Sequence, residues 1–404
     1  MDKTGFVFSG QGSQYPGMCR KLYDSEPEVR EYFDKAKAIL GYDISEVCFG
    51  KKTELLSKTE YAQPAIFMAS VSQLVSFRKN CMRMPDVAAG HSIGEYAALY
   101  CAGALTFEET LILVKNRATL MDAEAAKCSG CMYAVRGVTA QKAEEITEEA
   151  KKHGIVCISN YNGFNNVVIS GEEDAVSKAA EEIISRGGQV LKLNVSSGFH
   201  SPLMQNAAEE YENIVSAAHF SEPEIPVISN ITGKPYNNAE DIRKSLASQI
   251  VSPVKWYHSL MYMQSIGCTT AIEFGPKKVL KNIINKDSSI EAFSFDNEYD
   301  VMKTMSMFNK QKTDLLVYGQ FLKEAVTHKC HRTDISGYSE NVVKPYRKIE
   351  KIYLSIKNEG HILTDDELKL SEEMLRKILT YKNTSGAEYI CEKIYTSVKS
   401  RLFC

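Results

Sequence analysis

Residues 90–100 read GHSIGEYAALY, and Gly90-His91-Ser92-Ile93-Gly94 at their start decides how the fold is interpreted. The apolar residues 87–89 precede this stretch and a helical pattern follows it, so the chain passes here from a strand into a helix. A serine with a glycine two positions away on each side has the G-x-S-x-G spacing of a nucleophile elbow. Small residues allow the sharp turn that holds the serine hydroxyl above the sheet. Ser92 is therefore a candidate nucleophile.

Apolar strands alternate with amphipathic helices around this elbow, which favours an α/β fold with a largely parallel sheet. The first strand, residues 5–8, runs into the glycine-rich loop 9–14, whose backbone N–H groups are free to point at a ligand. Residues 64–77 predict a helix with Pro64 in its first turn. A second long helix is predicted over residues 107–127, and it contains Arg117.

Between residues 132 and 193 the pattern predicts shorter elements in the order β-α-β-β-α-β, which is a complete ferredoxin-like unit. We therefore predict a small ferredoxin-like domain, 128–194, inserted into a large α/β domain formed by 1–127 and 195–310. Beyond residue 310 the chain becomes charged and helical in pattern, which predicts a helical C-terminal extension, 311–404. Its apolar residues keep helical spacing, so we expect it to pack and not to be disordered.

Composition limits the class of protein. With 404 residues, 44% hydrophobic and 25% charged, the chain can bury a full core and form more than one domain. The net charge of −3 gives no reason to expect a nucleic-acid or membrane-surface partner. No apolar run approaches the roughly 18 residues that span a bilayer. Eleven cysteines, in a chain that enters a strand pattern without a signal peptide, predict free thiols and a cytoplasmic protein.

Two groups of residues in the sequence could supply metal ligands. Cys128-Ser129-Gly130-Cys131 has C-x-x-C spacing, but no second pair lies at zinc-ribbon distance, so it is interpreted as a loop. His328, Cys330 and His331 lie close together without a distant partner, which is typical of surface residues. We therefore predict no metal site.

The candidate base is His200. It lies between the last strand of the small domain and a helix, so we expect it in a turn at the domain junction, where active sites tend to lie. A serine is a weak nucleophile unless a neighbouring imidazole accepts its proton. His91 is nearer in sequence, but side chains alternate along a strand, so its side chain should point away from Ser92. We assign His91 to packing.

Six motifs follow one another along residues 1–300: Gly10-Gln11-Gly12-Ser13-Gln14, Gln63-Pro64-Ala65, Gly90-His91-Ser92-Ile93-Gly94-Glu95, Arg117, Gly198-Phe199-His200-Ser201 and Phe274-Gly275-Pro276. In their order and spacing they resemble those of the malonyl-CoA:acyl-carrier-protein transacylase family. The resemblance implies an α/β-hydrolase-like large domain with a ferredoxin-like insert.

The resemblance also implies a role for single residues. Ser92 is the acylated nucleophile, and His200 is its base. The backbone carbonyl of Gln249 is the candidate that orients the imidazole, and its side chain need not matter for this role. Arg117 grips the free carboxylate of the malonyl group, because a guanidinium can bind a carboxylate through two hydrogen bonds. The N–H groups of Ile93 and Gln11 form the oxyanion hole, and the further substrate-binding residues are Gln63, Phe199 and Asn162.

For two of these residues the implied role is more specific. Phe199 resembles the bulky residue of malonyl-selective members and should crowd an α-methyl branch. Asn160 and Asn162 lie in a stretch similar to an asparagine-bearing segment near the family's cleft, and a role in forming a turn stays open for both.

The implied activity is transfer of a malonyl group from malonyl-CoA to the phosphopantetheine thiol of an acyl carrier protein, through a malonyl-serine ester and ping-pong kinetics. No bound cofactor is expected, because malonyl-CoA is a substrate and phosphopantetheine belongs to the carrier protein. The extension beyond residue 310 resembles that of discrete acyltransferases serving modular polyketide synthases. Carrier domains of such a synthase and a carrier protein of fatty-acid synthesis both stay open as partners.

Three other functions compete with malonyl transfer as explanations of these residues. An acyl hydrolase that clears acyl chains from carrier proteins would keep Ser92 and His200 but would not need Arg117. A lipase-like hydrolase would place its histidine late in the chain, and the best late candidate, His361, lies in the charged helical extension. A scaffold subunit that only binds carrier proteins would leave the set of Ser92, His200 and Arg117 unexplained.

Overall fold

The computed structural model describes residues 3–81, 83–359, 361, 363–384, 386–387, 389–390 and 393–394, without the side chains of 309–313 and 365. These residues form two compact units. The first unit contains residues up to 77 and 85–301, and the second contains 78–84 and the residues from 302 onward. The domain boundaries drawn from the sequence stay a prediction. The end of the predicted extension, 395–404, lies outside the described residues.

The strands are β1 (Lys3–Phe8), β2 (Val87–Gly90), β3 (Gly130–Arg136), β4 (Val156–Gly163), β5 (Asn166–Glu172), β6 (Gln189–Lys192), β7 (Val227–Ile228), β8 (Cys268–Phe274) and β9 (Glu291–Ser294). The α-helices are α1 (Arg20–Ser25), α2 (Pro27–Leu40), α3 (Ile44–Cys48), α4 (Thr59–Asn80), α5 (Gly94–Cys101), α6 (Phe107–Ala125), α7 (Ala140–Ala150), α8 (Glu173–Ser185), α9 (Gln205–Ala217), α10 (Ala239–Ser248), α11 (Trp256–Ser265), α12 (Val279–Asp287), α13 (Glu298–Thr327), α14 (Lys344–Glu359) and α15 (Asp365–Tyr381). Short 3₁₀ helices span Thr53–Ser57, Lys151–His153 and Pro202–Met204, and a π-helical turn spans Ser339–Val343.

The large sheet of the first unit is parallel, with strand order β7-β2-β1-β8-β9. Its central strands are almost wholly buried, as expected for a parallel sheet covered on both faces. Phe8 is in register with Gly90 on one side and with Phe274 on the other, so these three strands end together. The loop after β1, the elbow after β2 and the loop after β8 therefore meet at the carboxyl edge, where ligands bind in open α/β sheets. The predicted α/β fold is confirmed.

A separate antiparallel sheet has the strand order β4-β5-β3-β6. Its elements follow one another as β-α-β-β-α-β, the order that the sequence pattern predicts for this region. Apolar residues of α7 and α8 pack on one face of this sheet and form a core of their own.

The edge strand β4 also contacts the segment that follows α10. Asn160 forms an isolated bridge with Val254. The N–H of Tyr161 donates to the carbonyl of Val254 over 2.9 Å, and the N–H of Val254 donates to the carbonyl of Ser159 over 2.8 Å. These bonds tie the antiparallel sheet to the segment that contains Gln249.

Several element boundaries differ from the sequence prediction. Helix α4 begins at Thr59, so Pro64 lies inside the helix and not in its first turn. The interpretation of residues 128–131 as a loop is wrong for Gly130 and Cys131, because β3 begins at Gly130. Strand pairing, which depends on partners distant in sequence, decides the start of β3, where Gly130 pairs with Glu172.

The second unit contains most of α13 with α14 and α15, and their apolar faces form a buried cluster that includes Tyr318, Phe321, Ile349, Leu375 and Ile378. None of the helices within the described residues is long and apolar enough to cross a membrane. In the same part of the chain no group of three or more His, Cys, Asp or Glu residues could hold a metal ion. The described cysteines are free thiols.

Candidate active site

The elbow between β2 and α5 holds Ser92 in the left-handed region, with φ of 53°. This conformation is uncommon outside glycine and costs about 1–3 kcal/mol, so the surroundings must maintain it. A Cβ at position 90 would lie 2.0 Å from the backbone of Gly94, and a Cβ at position 94 would lie 2.2 Å from the carbonyl oxygen of Phe8. Both glycines are therefore needed for the chain to turn this tightly.

Ser92 and His200 meet in this turn. Ser92 Oγ lies 2.8 Å from His200 Nε2, and both residues are buried. His200 Nδ1 lies 2.9 Å from the carbonyl oxygen of Gln249 and 3.2 Å from that of Ser252. Because a carbonyl only accepts, Nδ1 carries the proton and Nε2 is left to accept the serine proton. The arrangement can activate the hydroxyl as a nucleophile.

The surroundings keep this imidazole neutral. Burial, followed by the positive charge of Arg117, lowers the pKa of His200 to about 3. The backbone carbonyls of Gln249 and Ser252 act in the opposite direction but more weakly. The ring is therefore unprotonated at neutral pH and available as a base.

The backbone N–H groups of Ile93 and Gln11 have no acceptor among the described residues. The N–H of Ser92 itself is used, because it donates to Oδ1 of Asn230 over 2.7 Å. The Gln11 loop approaches the elbow closely, since a Cβ at Gly10 would lie 2.6 Å from the carbonyl oxygen of His91. Free N–H groups beside a nucleophile are suited to bind an oxyanion.

Arg117 is fully buried beside the nucleophile. Its Nη1 donates to Gln63 Oε1 over 2.7 Å, and its Nη2 donates to Gln249 Oε1 over 2.8 Å and to Ser92 Oγ over 3.2 Å. These partners are neutral, and Nε has no hydrogen-bond partner. A buried guanidinium with an unused donor is a place where an anionic group can bind.

The Gln249 side chain, which the orienting role does not require, also belongs to the site. Its Oε1 accepts from Arg117, and its Nε2 donates to the carbonyl oxygen of Ser92 over 3.1 Å and to a carboxylate oxygen of Glu95. The residue that holds His200 through its backbone thus contacts Arg117 and the nucleophile through its side chain.

Sequence reasoning missed Asn230, Glu95 and Tyr236. Asn230 follows β7 at the carboxyl edge of the sheet, and its position beside the β2 edge was the signal that could have found it. Glu95 directly follows Gly94, and burial raises the pKa of its carboxyl to about 7. The Tyr236 hydroxyl donates to Glu95 over 2.7 Å.

The other predicted residues lie around this group. Gln63 Nε2 donates to Gln11 Oε1 over 3.3 Å, which connects the guanidinium to the Gln11 loop. Phe199 is buried, and its carbonyl accepts from the Ser170 hydroxyl. Asn162 Oδ1 lies 2.8 Å from His91 Nε2, so its side chain contacts that histidine instead of the serine. The His91 ring lies beside Trp256, in agreement with a packing role.

Comparison with known proteins gives a consistent set of relatives. Residues 5–334 match the family described as "Acyl transferase domain". A polyketide biosynthesis malonyl CoA-acyl carrier protein transacylase of Bacillus subtilis strain 168, PksC, is 40% identical over 70% of this chain and 96% of its own length. A malonyl CoA-acyl carrier protein transacylase of Bacillus subtilis is 29% identical over 95% of this chain and 97% of its own length.

Among solved structures, a malonyl-transacylase in complex with the holo acyl-carrier protein of a type II polyketide synthase superimposes with a TM-score of 0.71. It is 32% identical in sequence, and the match covers 76% of this chain and 99% of that one.

Proposed function

Because the chain belongs to the acyl transferase domain family, we propose that Ser92 and His200 are the nucleophile and base of an enzyme that transfers malonyl groups. The chain is an acyltransferase that takes malonyl from malonyl-CoA and passes it to an acyl carrier protein. The observation that carries the residue assignment is the 2.8 Å contact between Ser92 Oγ and His200 Nε2, beside the buried Arg117.

In the first half of the reaction, Ser92 Oγ attacks the thioester carbonyl and His200 Nε2 takes its proton. The carbonyl oxygen becomes an oxyanion, which the free N–H groups of Ile93 and Gln11 stabilise. The C–S bond then breaks, His200 returns the proton to the departing thiol of CoA, and malonyl is left as an ester on Ser92.

In the second half the phosphopantetheine thiol of the carrier protein gives its proton to His200 and attacks the ester. The same N–H groups stabilise the second oxyanion, and the C–O bond to Ser92 breaks as His200 returns the proton to Oγ. Two transfers through one ester give ping-pong kinetics.

Selectivity for malonyl follows from Arg117. A malonyl carboxylate can bind the unused Nε and satisfy a buried charge, whereas an acetyl group leaves that charge without an anion. The hydrolase alternative is not favoured, because removing an acyl chain needs no buried cation at this position.

Several finer points belong to the same proposal. The strand order of the antiparallel sheet supports a ferredoxin-like description of the small domain, and the sharp strand-to-helix turn supports an α/β-hydrolase-like description of the large one. The similarity to PksC supports polyketide synthesis as the pathway, with fatty-acid synthesis as the alternative. The proposal also includes roles for Gln63, Phe199 and Asn162 in substrate binding. It further includes a cytoplasmic location.

Intact-mass measurement after incubation with malonyl-CoA tests the assignment. We expect one malonyl group on the wild-type chain, loss of that group when a holo carrier protein is added, and no loading of Ser92→Ala. The variant should keep the wild-type melting temperature, because only one oxygen atom is removed. A Ser92→Ala chain that still carries malonyl would refute the nucleophile. Release of free malonate in the absence of a carrier, faster than transfer, would favour hydrolysis.

A further inference from the structure

Glu95 is fully buried behind the elbow, and its carboxylate contacts two separate segments of the chain. One oxygen, Oε1, accepts from the backbone N–H of Asn230 over 2.9 Å and from the Tyr236 hydroxyl over 2.7 Å. The other, Oε2, accepts from Gln249 Nε2. Every contact is with a donor, so this position requires a side chain that only accepts.

The two segments that Glu95 contacts hold the reacting pair. Asn230 Oδ1 accepts from the N–H of Ser92 over 2.7 Å, and Asn230 Nδ2 donates to the carbonyl oxygen of Gly90 over 2.6 Å. Asn230 thereby bonds to both sides of the strained turn at Ser92. The backbone carbonyl of Gln249 accepts from His200 Nδ1 over 2.9 Å and sets the direction of the imidazole.

We propose that Glu95 is a positioning residue that holds the Asn230 and Gln249 segments together, so that Ser92 Oγ and His200 Nε2 stay within hydrogen-bonding distance. Asn230 also occupies the N–H of Ser92, which leaves the N–H of Ile93 for the oxyanion. The proposal rests on the proposed function only in taking Ser92 and His200 as the reacting pair. It does not depend on which acyl group is transferred.

A glutamine at position 95 tests the need for an acceptor. Its oxygen can still accept from Asn230 and Tyr236, but its amide nitrogen then faces Gln249 Nε2, so two donors meet. If the Gln249 amide rotates to present its oxygen to position 95, its nitrogen faces the donor Nη2 of Arg117 and its bond to the Ser92 carbonyl is lost. If the amide at position 95 turns the other way, its oxygen accepts from Gln249 Nε2, but its nitrogen then faces the N–H of Asn230. Whichever way the amides turn, Glu95→Gln loses a bond to one of the two segments or the bonds that Gln249 makes to Arg117 and Ser92.

The measurement uses a small aryl sulfonyl fluoride, which carries no carboxylate and needs no malonyl site. Ser92 Oγ forms a bond to sulfur, fluoride leaves and His200 takes the proton, so the labelling rate reports on the reacting pair alone. At pH 8.5, where the Glu95 carboxyl with its pKa raised by burial to about 7 is ionised, we expect Glu95→Gln to lower this rate about ten- to a hundredfold, the effect of losing a charge-assisted hydrogen bond. The maximal malonyl loading rate should fall similarly, with a smaller change in the malonyl-CoA concentration that gives half that rate.

A double-mutant cycle separates positioning from a general loss of structure. In a Gln249→Met background the backbone carbonyl is kept and the opposing donor is absent, so Glu95→Gln should cost much less than in the wild type. Glu124→Gln is the matched control. Glu124 is also a buried carboxylate, and it pairs with Lys127 and Asn206. The control should label within about twofold of the wild type.

Three results would overturn the proposal: wild-type labelling by Glu95→Gln, an equal loss in both backgrounds, or an equal loss in the control. If Glu95→Gln does not fold, Tyr236→Phe removes one donor from the same carboxylate and should slow labelling several-fold, and an unchanged rate would again overturn the proposal. If the wild type is labelled by the sulfonyl fluoride but does not load malonyl, the proposed function is refuted and this inference stays intact.

Discussion

The proposed base His200 and the buried cation Arg117 both lie within hydrogen-bonding distance of the proposed nucleophile, Ser92. The guanidinium of Arg117 lowers the pKa of His200 and donates to the serine oxygen, so its charge affects both partners. Its direct contacts are neutral, and Gln249 lies between it and the Glu95 carboxyl. A substrate carboxylate brings a negative charge into direct contact with the guanidinium, and this makes the acyl group part of the electrostatics of the site.

The first prediction concerns Arg117→Ala. Malonyl transfer should fall by at least about a hundredfold, because a charge-assisted pair of hydrogen bonds to the carboxylate is lost. Transfer of acetyl should rise relative to malonyl, since the uncompensated charge is gone. Steady-state rates with malonyl-CoA and acetyl-CoA measure both effects. An unchanged preference for malonyl would show that another group binds the carboxylate.

The second prediction concerns pH. His200 must be neutral to accept a proton, and burial together with the charge of Arg117 lowers its pKa to about 3, whereas burial raises the pKa of the Glu95 carboxyl to about 7. In Glu95→Gln this carboxyl is absent, so the labelling of Ser92 by a sulfonyl fluoride should not decline at the ordinary histidine pKa near 6.5. In Arg117→Ala/Glu95→Gln the repulsion is removed and the pKa of His200 rises, so the acidic decline should move to higher pH. Labelling rates between pH 4.5 and 8 for both proteins measure the shift. A decline at the same pH in both would contradict this account.

At the residue scale, the sharp turn at Ser92 could be predicted because the glycines that shape it are its neighbours in the chain. The contact between Ser92 and His200 could be predicted because a serine nucleophile requires a base, which singled out the histidine expected at a domain junction. The parts played by Asn230 and the Gln249 side chain could not be predicted, because they depend on contacts with Ser92. This residue lies 138 positions from Asn230 and 157 positions from Gln249 in the chain. Such contacts leave no local pattern.

At the scale of elements, the elbow depends on how closely α5 approaches β1. The Cα of Gly94 faces the carbonyl of Phe8, and the same carbonyl accepts from the N–H of His91 over 3.0 Å. Alternating apolar segments were enough to predict the α/β fold, because every strand of a covered parallel sheet must be apolar. The start of α4 at Thr59 was not predictable in this way, since Pro64 is accommodated inside the helix.

The third prediction tests this close approach with Gly94→Ala. The added Cβ would lie 2.2 Å from a backbone oxygen, which cannot move as a flexible side chain can, so the strand and helix must separate. We expect the free energy of unfolding to fall by about 1–3 kcal/mol and malonyl loading to drop, because Ser92 shifts with the turn. Denaturant unfolding and intact-mass loading measure the two effects.

Gly319→Ala is the matched control for this substitution. Gly319 lies within α13, and its nearest neighbour to an added Cβ is a ring atom of Tyr353 at 3.7 Å. Alanine is preferred to glycine inside a helix by about 1 kcal/mol, so the control should be as stable as the wild type or more stable. Equal stability of Gly94→Ala and its control would show that the elbow tolerates a side chain.

At the scale of the whole molecule, the residues of the candidate site belong to the first compact unit. The second unit has its own buried apolar cluster, and the capping residue Thr364 begins its helix α15. The relative from Bacillus subtilis that aligns with 95% of this chain shares the additional length. The second unit is thus a folded part of the protein that contains none of the residues of the candidate site.

The last prediction follows from this division. A chain ending at residue 310 keeps the nucleophile, the base, the cation and both oxyanion N–H groups, so it should still load malonyl from malonyl-CoA. It ends within α13 and lacks the cluster around Phe321 and Leu375, so its melting temperature should be lower. A second expected effect is on the choice of carrier protein, because transfer to a carrier depends on contacts between proteins, whereas loading from CoA does not.

Intact-mass loading, followed by transfer to two different carrier proteins, compares the shortened and full-length chains. The same comparison with Ser92→Ala in both lengths shows that any loading passes through the same ester. Equal loading with altered transfer rates would assign the second unit to carrier selection, and equal loading with equal transfer would assign it to stability. A shortened chain that remains folded and cannot load malonyl would show that residues beyond 310 take part in the chemistry, and the division between the two units would then be wrong.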